Sequence, residues 1–303
     1  MDGLRCSAVA ETIGEPLAGT AAVARSWLCV EQPGPWGRDA LSASHLDEGV
    51  ARELTRLSAG TGVRVVLIRR PGSHPDRHRP VPRQVYLAHT TPGGTWLERA
   101  TVNDPKELLD LDFAQAGAGV PGLLGAAVPD RLLLVCTNGR RDVCCALLGR
   151  PIAAALAASR GDAVWECTHI GGHRFSPTAV LLPTGYAYGR LDVAAAERLL
   201  DGGSAVVVDG CRGRSTWPGP GQVAELAVRA ASGLAGPDVL SVDTVDPVAE
   251  GWRVVVRAVS GRAWSVTVVE REVAAPRKAS CTAAVTPAVG LVAMSVRETV
   301  FSG

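Results

Sequence analysis

One order of elements, β-α-β followed by a β-hairpin and a helix, can be read twice along this chain of 303 residues. It constrains the fold more than any other feature of the sequence. In the first half, Ser26 to Glu31 (SWLCVE) is an apolar run of strand length. His45 to Leu57 has helical spacing, with Leu46, Val50, Leu54 and Leu57 on one face. Arg64 to Ile68 (RVVLI) is a β-branched strand, and Arg69 to Pro82, rich in Pro, Arg and His, reads as an exposed loop. Gln84 to His89 and Thr95 to Ala100 form a hairpin around Thr91-Pro92-Gly93-Gly94. Asp104-Pro105 opens a helix as N-cap and first residue, running to about Phe113.

A Gly-rich linker, AGAGVPGLLGAAVPD, leads into the second pass. Arg131 to Cys136 is a buried strand. Cys145 to Ser159 is an Ala/Leu-rich helix in which Pro151 is placed to interrupt or kink. Asp162 to Thr168 is a strand, and Thr178 to Leu182 and Tyr186 to Leu191 form a hairpin around Pro183-Thr184-Gly185. Asp192 caps a helix to Leu200. A further helix spans Gly221 to Leu234. Past Val239 the alternation in WRVVVRAV and AWSVTVVE, joined by Ser-Gly-Arg, marks a small β unit. The expected fold class is α/β, with two thioredoxin-like βαβββα units and a small C-terminal β unit. The expected boundaries are 1–120 for the first unit, 121–238 for the second and 239–303 for the β unit.

The 31 basic and 30 acidic residues nearly cancel, so the basic excess of a nucleic-acid binder is missing. No run of about 18 apolar residues suggests a membrane span. The start, MDGLRCSAVAETIGEPL, carries acids and no apolar core, unlike a secretory signal. A cytoplasmic location is expected. There the eight cysteines are not a disulfide framework.

Four cysteines fall between positions 136 and 167, and two histidines follow in the run HIGGH, His169 to His173. Two glycines between the histidines each cost about 1 kcal/mol in a helix. The run is therefore read as a tight loop able to aim two imidazoles at one metal centre. Cys136 ends a strand and Cys145 starts a helix, where the helix dipole and free N–H groups favour a thiolate. The βαβ order brings the two loops to one end of the sheet. Two thiolates and two imidazoles suit Zn²⁺ or a Rieske-type [2Fe–2S] centre. Cys144 competes with Cys145 for the ligand role. Cys6, Cys29, Cys167, Cys211 and Cys281 are read as small buried hydrophobes. His45, His74, His78 and His89 are read as surface or loop residues, and Trp165 and Trp217 as packing. Arg174, Arg212 and Arg214 are candidates either for pairing with an acidic redox partner or for solvated surface charge.

The segments CTNGRRDVCCALLGRPI, WECTHIGGHRF, LLPTGYAYGRLD and RGRS resemble the sucrase/ferredoxin-like family, relatives of thioredoxin-like [2Fe–2S] ferredoxins. CSAVAETIGEPLAGT and EQPGPWGRDAL resemble it too, extending the likeness over nearly the whole chain. Asn138 stands where many relatives have His, and Ser176-Pro177 where small residues and Asn are usual. The resemblance implies a [2Fe–2S] cluster held by Cys136, Cys145, His169 and His173 in the second unit, with the first unit lacking ligands. It implies an electron carrier more than a substrate-converting enzyme, working with a redox protein such as a flavoprotein reductase and with neither nucleic acid nor membrane. No pair of carboxylates forms a defensible glycosidase motif. Two other readings use the same region. One is a thioredoxin-type thiol–disulfide oxidoreductase, which would lack a C-x-x-C motif. The other is a zinc-stabilised binding protein using the same four ligands.

Overall fold

A computed structural model describes residues 5–72 and 82–299. His74 and His78 lie outside the described residues. The first half contains helix α1 (Cys6–Thr12), β1 (Ser26–Glu31), α2 (Glu48–Ser58), β2 (Val63–Arg69), β3 (Arg83–His89), β4 (Trp96–Val102) and α3 (Phe113–Ala118). A two-residue strand, β5 (Ala126–Ala127), precedes the second half: β6 (Leu132–Cys136), α4 (Val143–Arg160), β7 (Val164–Cys167), β8 (Ala179–Leu182), β9 (Tyr186–Tyr188), α5 (Val193–Leu200) and β10 (Cys211–Arg214). Then come α6 (Gly219–Ser232) and strands β11 (Leu240–Val248), β12 (Gly251–Ala258), β13 (Ala263–Lys278) and β14 (Val285–Thr299).

Aspartates set the helix starts as their short side chains allow. Asp47, Asp142 and Asp192 cap α2, α4 and α5 by accepting from the N–H of Val50, Cys144 and Ala195. Asp104 also caps as expected, but the helix it opens is a short 3₁₀ turn, Pro105–Asp110. Leu111 is extended, and Asp112 caps a separate helix by accepting from Gln115. The helix α4 begins at Val143, two residues before the expected start, and runs through Pro151 without ending. Contrary to the expectation of no such run, Val143–Ala163 is long and apolar enough to cross a membrane by length and composition. In this fold α4 lays Cys145, Gly149, Ile152, Ala153 and Leu156 inward and carries two cysteines of the metal-site groups described below.

The fold is α/β with a mixed sheet. In each half the first two strands pair in parallel, β1 with β2 and β6 with β7. The third strand pairs antiparallel with the first, and the fourth with the third. The halves do not resolve into separate units, however. β2 and β7 pair edge to edge, Ile68 opposite Cys167 and Arg69 opposite Glu166, giving one ten-stranded sheet in the order β10-β9-β8-β6-β7-β2-β1-β3-β4-β5. One core also spans both, with Trp27, Ile68, Tyr86, Leu134, Trp165, Cys167 and Val180 packed together. The short β2–β7 join is pinned by a buried ion pair, Arg69 to Glu166 at 2.7 Å. Beyond α6, strands β11 to β14 form a four-stranded antiparallel meander whose core of Val254, Val256, Trp264, Val266 and Val268 packs on Val223, Ala224 and Val228 of α6. The loop after β13 returns to α1 and the start of α4, and this contact shapes the site.

Candidate metal centre

Cys136 is the last residue of β6 and Cys145 lies in the first turn of α4, where its N–H bonds to the Asp142 carbonyl at 3.1 Å. Both are fully buried. His169 follows β7 by two residues, and its carbonyl accepts from Arg64 at 3.1 Å. The ligand-type atoms of Cys136, Cys145 and His169 lie within 4.8 Å of one another. His173 stands outside that tight group, with its ring centroid 5.3 Å from that of His169. Three of the four expected residues therefore converge closely, and the fourth stands beside them.

The loop between the histidines turns through Gly171 (φ +81°) and Gly172 (φ +70°), both in the left-handed region. Beneath it lies Arg212, fully buried. Its guanidinium donates to the Gly171 carbonyl at 3.1 Å, to the Thr20 hydroxyl at 3.0 Å and to the Thr20 carbonyl. A side chain at Gly172 would run into that guanidinium.

The electrostatics favour a bound cation. Hydrogen bonds from Cys145 and from His169 hold the Cys136 thiol well below the usual thiol range, and they outweigh its burial. Cys145 is raised in turn, because it supplies the proton that Cys136 accepts. The Ser176 hydroxyl adds a hydrogen bond to Cys145 Sγ at 3.5 Å. Burial lowers His173 below the ordinary imidazole value, so its ring is neutral at neutral pH, the form that binds metals. The Nδ1 atoms of His169 and His173 are both buried without a hydrogen-bond partner among the described residues. Buried polar atoms are nearly always satisfied, so two orphans on facing rings fit a group that they would hold.

A second group was not anticipated. Cys6 of α1, Asp142 and Cys144 at the start of α4, and Cys281 in the loop after β13 also lie within 4.8 Å of one another. Cys144 therefore belongs to this group, and it is Cys145 that faces Cys136. Cys6 and Cys281, read from the sequence as plain buried hydrophobes, are polar-site residues. Their separation by 275 positions leaves no spacing signal to find them.

Other expectations are corrected. His89 is buried at the end of β3 with its Nδ1 2.9 Å from the Ser26 hydroxyl, and burial lowers its pKa. Arg212 and Arg214 are fully buried, so neither offers surface charge to a partner. Arg214 donates to the carbonyls of Thr90 and Pro237 and pairs with Asp238. Arg174 pairs with buried Glu15 at 2.9 Å. Cys29, Cys167, Cys211 and Trp165 are core residues as expected.

A mixed α/β fold with two groups of candidate ligands, one of two thiols and an imidazole and one of three thiols and a carboxylate, is consistent with a metal-binding or redox protein. A family model described as sucrase/ferredoxin-like matches residues 17–213, about two thirds of the chain and less than the sequence resemblance spans. The chain belongs to the sucrase/ferredoxin-like family. No curated protein and no solved structure matches it.

Proposed function

We propose that Cys136, Cys145, His169 and His173 hold a [2Fe–2S] cluster and that the protein is a single-electron carrier. The observation that carries this reading is the pairing of donors. Two buried thiols face each other across the β6–α4 loop, and two half-buried imidazoles, whose buried Nδ1 atoms have no partner among the described residues, face each other across the Gly171-Gly172 turn. A single tetrahedral ion draws four donors into one tight group. Here His173 stands apart from the other three, so the four do not form such a group. Family membership supports the same reading. Such a cluster would supply a one-electron couple at a potential above that of an all-thiolate centre.

The chain's own residues do the rest. Ser176 donates to the sulfur of Cys145, and Arg212 fixes the turn that spaces the imidazoles. The shared element order and strand pairing make each half a thioredoxin-like unit by this reading, the second holding the cluster and the first carrying none. A cleft of about 390 Å³ opens at His169, lined by Arg38, Arg64, Asn138 and Arg141. It offers an acidic redox protein a short route to the centre, in place of the arginines that the fold buries.

Iron, zinc and acid-labile sulfide analysis of the anaerobically purified chain tests the proposal. About two irons and two sulfides per chain, falling together in Cys136→Ala, are expected. Zinc alone at this site, with no sulfide, would refute electron transfer.

A further inference from the structure

We propose that Cys6, Asp142, Cys144 and Cys281 form a second metal site, a closed zinc site that ties both ends of the chain to the start of helix α4. The three sulfurs form a triangle: 3.7 Å from Cys6 to Cys144, 3.3 Å from Cys144 to Cys281 and 3.5 Å from Cys281 to Cys6. The Asp142 carboxylate caps it, with oxygens 3.7 and 3.8 Å from Cys6 Sγ. Donors placed tetrahedrally at the usual zinc–sulfur distance of about 2.3 Å stand about 3.8 Å apart, and a carboxylate oxygen stands slightly closer. The triangle's edges, 3.3 to 3.7 Å, approach that spacing from below.

The carboxylate is held in place for the purpose. Its Oδ1 accepts from the Cys144 N–H at 3.0 Å and its Oδ2 from the Cys281 N–H at 2.9 Å. An ionised carboxylate has about four acceptor positions, so both oxygens keep a lone pair free. Cys6 and Cys144 are fully buried and Asp142 nearly so, which excludes the water that an open catalytic zinc would keep. Three thiols acting only as small hydrophobes would have no reason to enclose a buried carboxylate.

Four donors from three distant segments meet at this point. Cys6 and Cys281 both lie outside the stretch matched by the family model, while Asp142 and Cys144 lie inside it. The site is closed by the α1 and β13–β14 segments that flank the matched region. Cys144 and Cys145 are neighbours in sequence, so the same helical turn serves both groups. Zinc has no redox chemistry, so this ion is structural: it ties α1 and the loop after β13 to the first turn of α4.

The test is metal and sulfide content of the full-length chain expressed with added zinc and purified anaerobically, for the native sequence and for Cys6→Ser, Cys281→Ser and Cys211→Ser. The native chain and the Cys211→Ser control are expected to hold about one zinc. Cys6→Ser and Cys281→Ser should each lose it by about fivefold or more while keeping iron and sulfide at native levels. Cys281 sits in a half-buried loop, so its variant probes the site even if the Cys6 change disturbs the packing of α1. Zinc K-edge absorption should show three sulfur neighbours and one light atom. Absence of zinc from the native chain, or a disulfide among these cysteines under non-reducing peptide mapping, would overturn the proposal. So would zinc unchanged in both variants. Loss of iron with sulfide from Cys281→Ser would overturn it as well. Loss of iron and sulfide in Cys136→Ala with zinc retained would separate this site from the cluster, whatever the cluster proves to be.

Discussion

Replacing Gly172 by Ala tests how the histidine turn is built. Two separate terms oppose the new methyl group. An L-residue in the left-handed region at φ +70° costs about 1–2 kcal/mol. The added Cβ would also stand 2.5 Å from Cζ and 3.0 Å from Nη1 of Arg212. A flexible arginine could swing aside, but this one is fully buried and holds Thr20 and Gly171 through three hydrogen bonds. Overpacking of this kind costs about 1–3 kcal/mol, so the total is about 2–5 kcal/mol. Gly171→Ala is the internal control. It has the same backbone cost at φ +81°, but its Cβ would meet only Ala22 and Arg212 at an ordinary 3.8 Å. Its cost is therefore about 1–2 kcal/mol. Urea unfolding of both variants, followed by fluorescence, gives the difference directly, and iron and sulfide content reports the consequence for the site. Gly172→Ala should be less stable than Gly171→Ala by about 1–3 kcal/mol and should retain less metal. Equal stabilities, within about 0.5 kcal/mol, would show that Arg212 does not hold the turn.

Three further outcomes are expected. Cys136→Ala should lose iron and sulfide together, measured per chain by chemical analysis, because Cys136 is the one thiol to which both Cys145 and His169 donate. His169→Cys should keep a cluster but lower its reduction potential, read by redox titration with an electron paramagnetic resonance signal, because a thiolate adds negative charge where an imidazole added none; an unchanged potential would remove His169 from the ligand set. Glu15→Gln should destabilise the chain by about 3–5 kcal/mol near pH 7, because it leaves buried Arg277 without its carboxylate. Burial raises Glu15, but Arg277 and Arg174 outweigh it and hold the carboxyl below its ordinary value. Its stabilising effect is thus complete above the usual Glu pKa of about 4.3 and is lost as pH falls through the lower folded-state value. Native and variant stabilities should converge as pH falls below the usual Glu value; a gap that widened on acidification would contradict the pairing.

Much of the fold was legible because its signals are local. Strand β1, the capping aspartates at 104 and 192, and the β12–β13 hairpin lie where hydrophobic runs, caps and turn residues put them. The break at Leu111 was missed because Asp104-Pro105 is a strong start signal and nothing nearby marks the stop except Asp112, which reads equally well as a helix residue. Of the site, the HIGGH loop and the Cys136–Cys145 pair were visible as a cluster in sequence. Burial was not: Arg212 and Arg214 look like surface charges, and only the shared core shows that they satisfy backbone carbonyls inside it. The Cys6–Asp142–Cys144–Cys281 group was invisible for the same reason, since it exists only after both ends of the chain have folded back onto α4.

The edge-to-edge pairing of β2 with β7 has a consequence for synthesis. About 95 residues separate the end of β2 from the start of β7. As the chain leaves the ribosome, the N-terminal half reaches its full set of strands while one side of β2 still offers unpaired N–H and C=O groups. An edge in that state is a template for the wrong strand, including β2 of a neighbouring nascent chain. The site-bearing half is therefore also the cover for the half made first, and a gene cut near residue 120 would release two pieces that each expose an adhesive edge.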